Sequence, residues 1–159
     1  KVSVEDPPAL SATGPDEVQF LFATNVGARF LPIKDVASGG ELSRLTLCTK
    51  SLVADAIPLP TLIFDEIDAG ISGDVSLKMG LILKELSARH QVVSITHTPQ
   101  IAARADAHYF VYKRVADNRT VTNVRLLSPD ERVRSIAVML SGNPPSDSAL
   151  ATAAELVKG

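Results

Sequence analysis

The chain has 159 residues, a formal net charge of −2, 45% hydrophobic residues and 21% charged residues. These values are ordinary for one soluble α/β domain, and the length is enough to bury a sizeable core. No apolar run approaches the roughly 18 residues that span a membrane, and the net charge gives no overall basic surface for nucleic acid. The single cysteine, Cys48, cannot form an internal disulfide, which fits a reducing compartment. Because the first residue is Lys1 rather than methionine, we expect a longer parent protein.

The first 33 residues are expected to lead into the domain and then form two strands. Residues 1–16 are rich in proline and lack periodicity, so we expect a lead-in segment rather than a core element. Alternating apolar residues from Val18 to Phe22 predict a strand. A turn at 25–27 then precedes a second strand near 29–33.

The middle of the chain alternates between helix and strand patterns. We expect a helix from Leu42 that ends before Pro58, followed by a buried parallel strand at 61–64. Helical spacing returns between Val75 and Leu86, and a second buried strand is predicted at 92–95. The positions with helical spacing in the first helix are 42, 45, 49, 52, 53 and 56.

The last third of the chain predicts a hairpin followed by helices. Its elements are a helix start at Thr98-Pro99, strands at 109–113 and 121–127 joined at Asp117-Asn118, a helix capped by Ser128-Pro129-Asp130-Glu131 that ends near Gly142, and a final helix at 146–157. Together with the strand–helix–strand pattern before it, this predicts an α/β fold. We expect a mainly parallel sheet with helical crossovers, a terminal β-hairpin and terminal helices.

Ser38-Gly39-Gly40-Glu41 stands directly before the first long helix. A serine followed three residues later by glutamate is a capping box, a structural feature of many helix starts. Two glycines also let backbone N–H groups approach a phosphate, and the helix N-terminus adds partial positive charge. Both interpretations stay open, because a capped helix start with bare glycines is also how an anion site is built.

Carboxylates follow the first predicted parallel strand. Asp65 and Glu66 come where the strand ends, and Asp68 follows in a loop that contains Gly70 and Gly73. Ligands collect at the carboxyl ends of parallel strands, where an aspartate can hold Mg²⁺ and a glutamate can polarise water. The structural alternative is a solvated acidic turn.

His97 ends the next apolar strand and should emerge at the same sheet edge as Asp65 and Glu66. A lone histidine is most often structural, but at a strand end it could hydrogen-bond a terminal phosphate. His90 and His108 have no such setting and are predicted to be surface residues.

A phosphate loop of the G-x-x-x-x-G-K-[ST] type is missing from the sequence. The nearest candidate, Gly27 to Lys34, lacks the second glycine and the hydroxyl residue after the lysine. The chain therefore carries part of a nucleotide-hydrolysing site without the loop that cradles the phosphates.

These motifs together resemble the ATP-binding-cassette ATPases. Ser38 to Glu41 is similar to their signature motif, Leu62 to Glu66 to their Walker B strand, Asp68 to their D-loop and His97 to their switch histidine. The longer strings, at 36–44, 64–73 and 96–102, are similar to the C-terminal part of the RecN family. Those are bacterial DNA double-strand-break repair proteins related to structural-maintenance-of-chromosomes (SMC) proteins.

The resemblance covers about residues 17–157 and implies the C-terminal lobe of an ABC-type ATPase head. In that family an N-terminal lobe brings the phosphate loop and a long coiled coil intervenes, which would make residues 1–16 follow the coiled coil and 17–159 form the lobe. The cofactors implied are ATP and Mg²⁺, with Asp65 positioning the metal, Glu66 polarising the attacking water and His97 contacting the γ-phosphate.

The resemblance also implies an ATP-dependent dimer of heads. Asp68 would lie across the head–head interface. Arg44 is expected to be exposed by its helical position, and the sequence does not decide whether it contacts the partner. The groups expected to bind the γ-phosphate held by the second head are those of the signature, Ser38, Gly39, Gly40 and Glu41.

Three functions are therefore weighed. The first is a DNA-repair ATPase in the cytoplasm, at the bacterial nucleoid, acting on DNA through the full-length protein and without a membrane; the isolated chain would be inactive. The second is a non-hydrolysing scaffold, disfavoured because it needs none of Asp65, Glu66, Asp68 and His97. The third is a transporter nucleotide-binding domain, disfavoured because strand-like residues 17–33 leave no room for a phosphate loop.

Overall fold

The computed structural model describes residues 1–6, 12, 14–57, 59–116 and 119–159. No helix in these residues is long and apolar enough to cross a membrane. Several residues that the sequence interpretation used lie outside the described set: Pro7, Pro8, Pro58, Asp117, Asn118 and the side chain at position 56.

The N-terminal sheet has three antiparallel strands in the order β1-β2-β3, which are Val2–Glu5, Glu17–Phe22 and Leu31–Pro32. Strand β1 was not expected, because residues 1–16 showed no periodicity. It pairs with β2 so that Val2 faces Phe20 and Val4 faces Val18. All four side chains are exposed. The apolar residues whose alternation predicted β2 therefore lie on a sheet face that no other described residue covers.

A short helix α1, Ile33–Val36, leads to the long helix α2, Gly39–Ala56, which ends ahead of position 58 as expected. The apolar stripe that predicted α2 is largely exposed: Leu42, Leu45, Leu52 and Val53. Leu47 and Ala54 are buried instead and join the core that contains Phe64. The helix carries two apolar stripes, and periodicity alone cannot tell which one meets the sheet.

One crossover, strand–helix–strand, builds the centre of the fold. Strand β4, Thr61–Asp65, runs parallel to β5, Gln91–Ile95, and helix α3, Asp74–Leu86, connects them. Leu62 and Phe64 are buried, but Ile63 is 57% exposed. The expectation of strands buried on both faces is therefore wrong for the described residues, because among them only one face of the pair is covered.

The expectation of a mainly parallel sheet is also wrong for the described residues. β4 and β5 form one parallel pair, whereas the other three strand pairings are antiparallel. The physical reason is the length of the connections. The α3 crossover is long enough to join β4 to β5 in parallel, whereas only two residues separate β6 from β7, which allows antiparallel pairing alone.

The C-terminal third follows the sequence prediction closely. After the short helix α4, Pro99–Ala102, strands β6, Tyr109–Ala116, and β7, Arg119–Leu126, form an antiparallel hairpin. Helices α5, Pro129–Ser141, and α6, Asp147–Lys158, then pack on each other.

Two separate cores hold these elements. The first lies on the covered face of β4 and includes Leu47, Leu62, Phe64, Met79, Leu83 and Ile101. The second joins α4, α5 and α6 and is built mainly from alanines around Ile136: Ala102, Ala103, Ala137, Ala149 and Ala153. The small side chains of the second core allow the helices to approach closely.

Candidate nucleotide-hydrolysis site

The ends of β4 and β5 bring three predicted site residues to one edge of the sheet. Asp65 pairs in register with Ile95, and the backbone N–H of Glu66 donates to the Ile95 carbonyl at 3.1 Å. His97 follows two residues after β5 and therefore leaves the sheet at the same edge. Asp65, Glu66 and His97 are all exposed, so a ligand can reach them from solvent.

Glu66 has an unusual backbone. Its φ is +46°, and it is the one non-glycine residue with positive φ in the described part of the chain. A side chain in this left-handed region costs about 1–2 kcal/mol, so glycine would be the relaxed choice. Strained residues that persist tend to mark functional sites, because surrounding structure must hold them in place. Here the bond to the Ile95 carbonyl helps to hold the backbone while the carboxylate points into solvent.

Asp68 differs from its neighbours because its side chain is 0% exposed. Its Oδ2 accepts a hydrogen bond from the Thr96 hydroxyl and lies 3.7 Å from His97 Nδ1. Burial alone would raise the pKa of the Asp68 carboxyl, but hydrogen bonds from Thr96 and Thr98 lower it below the usual value. The structure thus places the Asp68 carboxylate inside its own chain, and its role at a head–head interface stays a prediction.

Thr96 is the residue that sequence reasoning missed. It received no role because a threonine at the end of an apolar strand is unremarkable. The available signal was its place between a strand end and the predicted phosphate-sensing histidine. In the structure its hydroxyl both donates to Asp68 and accepts the Thr98 backbone N–H at 3.0 Å.

The signature segment forms the predicted capping box at the start of α2. The Ser38 Oγ accepts from the Glu41 N–H at 3.3 Å, and Glu41 Oε2 accepts from the Ser38 N–H at 2.7 Å. The hydrogen bond from the Ser38 backbone N–H lowers the pKa of the Glu41 carboxyl most, and the bond with the Ser38 side chain lowers it further. The structural interpretation is therefore confirmed, and it leaves Gly39 exposed with no side chain in front of its N–H.

The glycines also bring the signature next to the acidic loop. A Cβ at Gly40 would lie 3.2 Å from the Ala69 carbonyl oxygen and 3.3 Å from Arg44 Nη1. A Cβ at this position would force its neighbours to move by a few tenths of an ångström, so glycine favours the close approach of α2 to the loop that carries Asp68. Arg44 is half-buried rather than exposed, because it folds back along the helix toward Gly40.

The two other histidines are not the surface residues that the sequence predicted. His90 is half-buried, with Nδ1 2.7 Å from the Leu59 carbonyl oxygen. His108 is half-buried as well, and burial, followed by the nearby charge of Arg132, lowers its pKa. Both predictions failed because burial by residues distant in sequence cannot be seen in the local pattern.

No cluster of three or more His, Cys, Asp or Glu side chains in the described part of the chain could hold a metal ion. The donor that the site offers is the exposed carboxylate of Asp65 at the strand end. This fits Mg²⁺ in the form found beside bound phosphates, where one or two carboxylates suffice and water and phosphate oxygens complete the shell.

The fold is that of SMC ATPase heads. A Pyrococcus yayanosii Smc head domain with a coiled coil and joint matches with a TM-score of 0.60 and 25% identity, over 81% of this chain and 23% of that one. An SmcHead bound to the C-winged helix domain of ScpA matches with a TM-score of 0.56 and 25% identity, over 84% of this chain and 38% of that one. No protein-family model matches the chain.

Curated relatives give a narrower match. The chain is 47% identical over 150 residues to DNA repair protein RecN of Deinococcus radiodurans and 43% identical over 148 residues to that of Haemophilus influenzae. These alignments cover 94% and 93% of the chain but 26% of each relative, so the chain spans about a quarter of the length of the curated relatives it matches. The chain is therefore similar to a segment of RecN proteins that makes up about a quarter of their length.

Proposed function

We propose that this chain is the C-terminal lobe of the ATPase head of a DNA double-strand-break repair protein. In the parent protein, ATP binding joins two heads into a dimer and hydrolysis separates them. The observation that carries the proposal is the shared sheet edge, where Asp65, Glu66 and His97 follow the paired ends of β4 and β5. A capped, glycine-opened helix start lies against the same acidic loop.

An N-terminal lobe of the same protein would supply the missing phosphate loop. The open face of the β4–β5 pair supports this, because Ile63, Val93 and Ile95 are all more than two-fifths exposed. A two-stranded sheet with one bare apolar face is marginal by itself and calls for further strands or a covering layer. A lobe docked there would bring its phosphate loop to the edge where the three site residues lie.

The roles of the residues follow from their chemistry. Asp65 would hold Mg²⁺, which neutralises charge on the β- and γ-phosphates when it is bound. The Glu66 carboxylate would polarise the attacking water as a general base. His97 would donate a hydrogen bond to the γ-phosphate and stabilise the charge that develops there.

The second head would close the site from the opposite side. The free N–H groups at Gly39 and Gly40 and the α2 N-terminus suit the γ-phosphate of ATP held by that head. Asp68 and its loop, which lie next to Gly40, would then border the interface. The parent would act on DNA in the cytoplasm, at the nucleoid, without a membrane.

The direct test is Glu66→Gln in the parent protein. The amide keeps the shape and the strained backbone but loses the charge, so hydrolysis should slow by roughly 10²–10⁴-fold while ATP binding persists. ATP-dependent dimers should then accumulate, as measured by light scattering. If the variant turns over ATP at the wild-type rate, Glu66 has no part in the mechanism. If the unmodified parent protein dimerises but hydrolyses no ATP, the non-hydrolysing scaffold is favoured instead.

A second test uses the chain by itself. Without the phosphate loop, the triphosphate loses most of its binding groups, so the isolated chain should neither bind Mg-ATP tightly nor hydrolyse it. Calorimetric titration with Mg-ATP measures this. Micromolar affinity or steady turnover would contradict the division of the site between two lobes.

A further inference from the structure

Asp68 and Thr96 form a hydrogen-bonded bracket around His97. The Thr96 hydroxyl accepts the Thr98 N–H at 3.0 Å, which joins the residues on either side of the histidine, and it donates to Asp68 Oδ2, which ties them to the acidic loop. Asp68 is fully buried and Thr98 is nearly so, whereas the His97 side chain is 71% exposed. Buried, hydrogen-bonded residues therefore flank an exposed imidazole.

An exposed ring at a strand end has little packing to fix its position. The 3.7 Å between Asp68 Oδ2 and His97 Nδ1 is too long for a hydrogen bond. The carboxylate therefore acts on His97 mainly by holding Thr96, and its Oδ2 lies on the Nδ1 side of the ring. This leaves Nε2 as the nitrogen that is free to face solvent and a ligand.

We propose that Asp68, acting through Thr96, positions His97 for contact with phosphate. The catalytic consequence rests on the function proposed above, whereas the positioning itself does not. Because Asp68 follows Glu66 by two residues, the same bond also sets the spacing between the Glu66 loop and His97. Within a catalytic site, a displacement of about 1 Å can cost on the order of 10²-fold in rate.

The test compares Thr96→Val with Thr96→Ser in the parent protein. Valine keeps the shape of threonine but removes the hydroxyl, so kcat should fall by on the order of 10²-fold with little change in KM for ATP. Serine keeps the hydroxyl and should restore most of the rate. An equal loss in both variants would overturn the proposal, because the hydroxyl would then not be the group that matters.

A second readout does not depend on activity. Hydrogen exchange at the ring C2 position, followed by mass spectrometry, reports separately on His90, His97 and His108 in the full-length protein. Asp68→Asn and Thr96→Val should change the rate at His97 and leave the other two unchanged; an unchanged His97 in both variants overturns the proposal. A change in all three rates in Thr96→Val would mark general unfolding. Asp68→Asn then decides: a changed rate at His97 alone supports the proposal, and an unchanged rate at His97 overturns it.

The two readouts also separate this proposal from the proposed function. A parent protein that hydrolyses no ATP would refute the function, and the exchange rates would still decide whether Asp68 and Thr96 position His97. As a matched control, Asp74→Asn removes a carboxylate that is exposed and paired with Lys78 at 2.7 Å. It should change neither kcat nor the exchange at His97.

Discussion

Two helices in this chain begin with the same capping box, but one helix start suits an anionic ligand and the other repels it. α2 begins with Ser38-Gly-Gly-Glu41 and α5 with Ser128-Pro-Asp-Glu131. In both, the serine Oγ accepts from the glutamate N–H at 3.3 Å, and the glutamate accepts from the serine N–H, at 2.7 Å in α2 and 3.0 Å in α5. The caps are therefore equivalent as stabilising devices.

The difference lies in the two residues between serine and glutamate. At the start of α2, glycines leave free N–H groups without side chains, which suits an anion. At the start of α5, Pro129 has no N–H and Asp130 adds a negative charge, which repels one. A capping box therefore explains helix stability at both places, and only the intervening residues distinguish a candidate phosphate site from a purely structural helix start.

The largest expected effect comes from Ser38→Arg in the parent protein. A bulky side chain would occupy the space in which the second head's γ-phosphate sits, so ATP-dependent dimerisation and hydrolysis should fail together while each head still binds ATP. Sedimentation with and without ATP measures this. The matched control, Ser128→Arg, loses the same cap and should only lower the melting temperature. Equal behaviour of the two variants would mean that both serines are caps and nothing more.

Gly39→Pro should separate stability from function. Proline fits the first helical position, and Ser38 before it is already extended, at φ −70° and ψ 161°. A Cβ at position 39 meets nothing within 4 Å, so the variant should melt at the same temperature or gain about 0.4–1 kcal/mol. It loses one charge-assisted hydrogen bond to phosphate, worth about 1.5–3 kcal/mol, and dimerisation should weaken by roughly 10–100-fold.

The control for Gly39→Pro is Pro129→Gly, which opens the other helix start. It should leave ATP-dependent dimerisation unchanged, because Asp130 and the surroundings of α5 offer no phosphate site. Unchanged dimerisation in Gly39→Pro would show that the N–H at position 39 does not contact the nucleotide.

Alanine at either serine should have the same, smaller effect. Ser38→Ala and Ser128→Ala each remove the side-chain acceptor of the cap, which costs about 1 kcal/mol of stability. Thermal or denaturant unfolding of the two variants measures the difference. A much larger loss at one position would show that its serine does more than cap the helix.

The smallest expected effect is a loss of folding stability at low pH. The pKa values of Glu41 and Glu131 are both lowered, chiefly by the backbone N–H of the capping serine. A lowered pKa in the folded state gives stability that is present above the unfolded value, about 4.3, and is lost as the pH falls through the folded value. Both glutamates are only partly buried, so the loss should be slight. Added salt should reduce the contribution of Glu131 more, because it also pairs with Arg125 at 2.8 Å.

Features governed by neighbouring residues could be predicted from the sequence. The cap of α2 at Ser38, the limits of α5 between Ser128 and Gly142, and the hairpin over 109–126 all follow from capping, proline or alternation, although α2 begins at Gly39 and not at Leu42 as its apolar spacing predicted. Asp65, Glu66 and His97 also fell where expected, because the ends of adjacent parallel strands must share an edge.

Which face is covered could not be predicted. The stripe that predicted α2 turned out to be exposed, and Ile63 is open while Phe64 beside it is buried. Alternation and helical spacing report that an element is amphipathic or apolar, but they do not say which neighbour will pack against it. The unexpected strand β1 has the same origin, because it exists through its pairing with β2.

The sequence by itself determined the chemistry of this protein: the capped glycine start, the carboxylates after a strand, the histidine after the next, and the missing phosphate loop. Those features depend on residue type and short spacing. Only the tertiary structure decided that Asp68 is buried against Thr96, that Gly40 packs against the Ala69 carbonyl and that Glu66 carries backbone strain. These outcomes depend on contacts between segments up to about thirty residues apart, such as Asp68 and Thr96, and local sequence patterns carry no information about them.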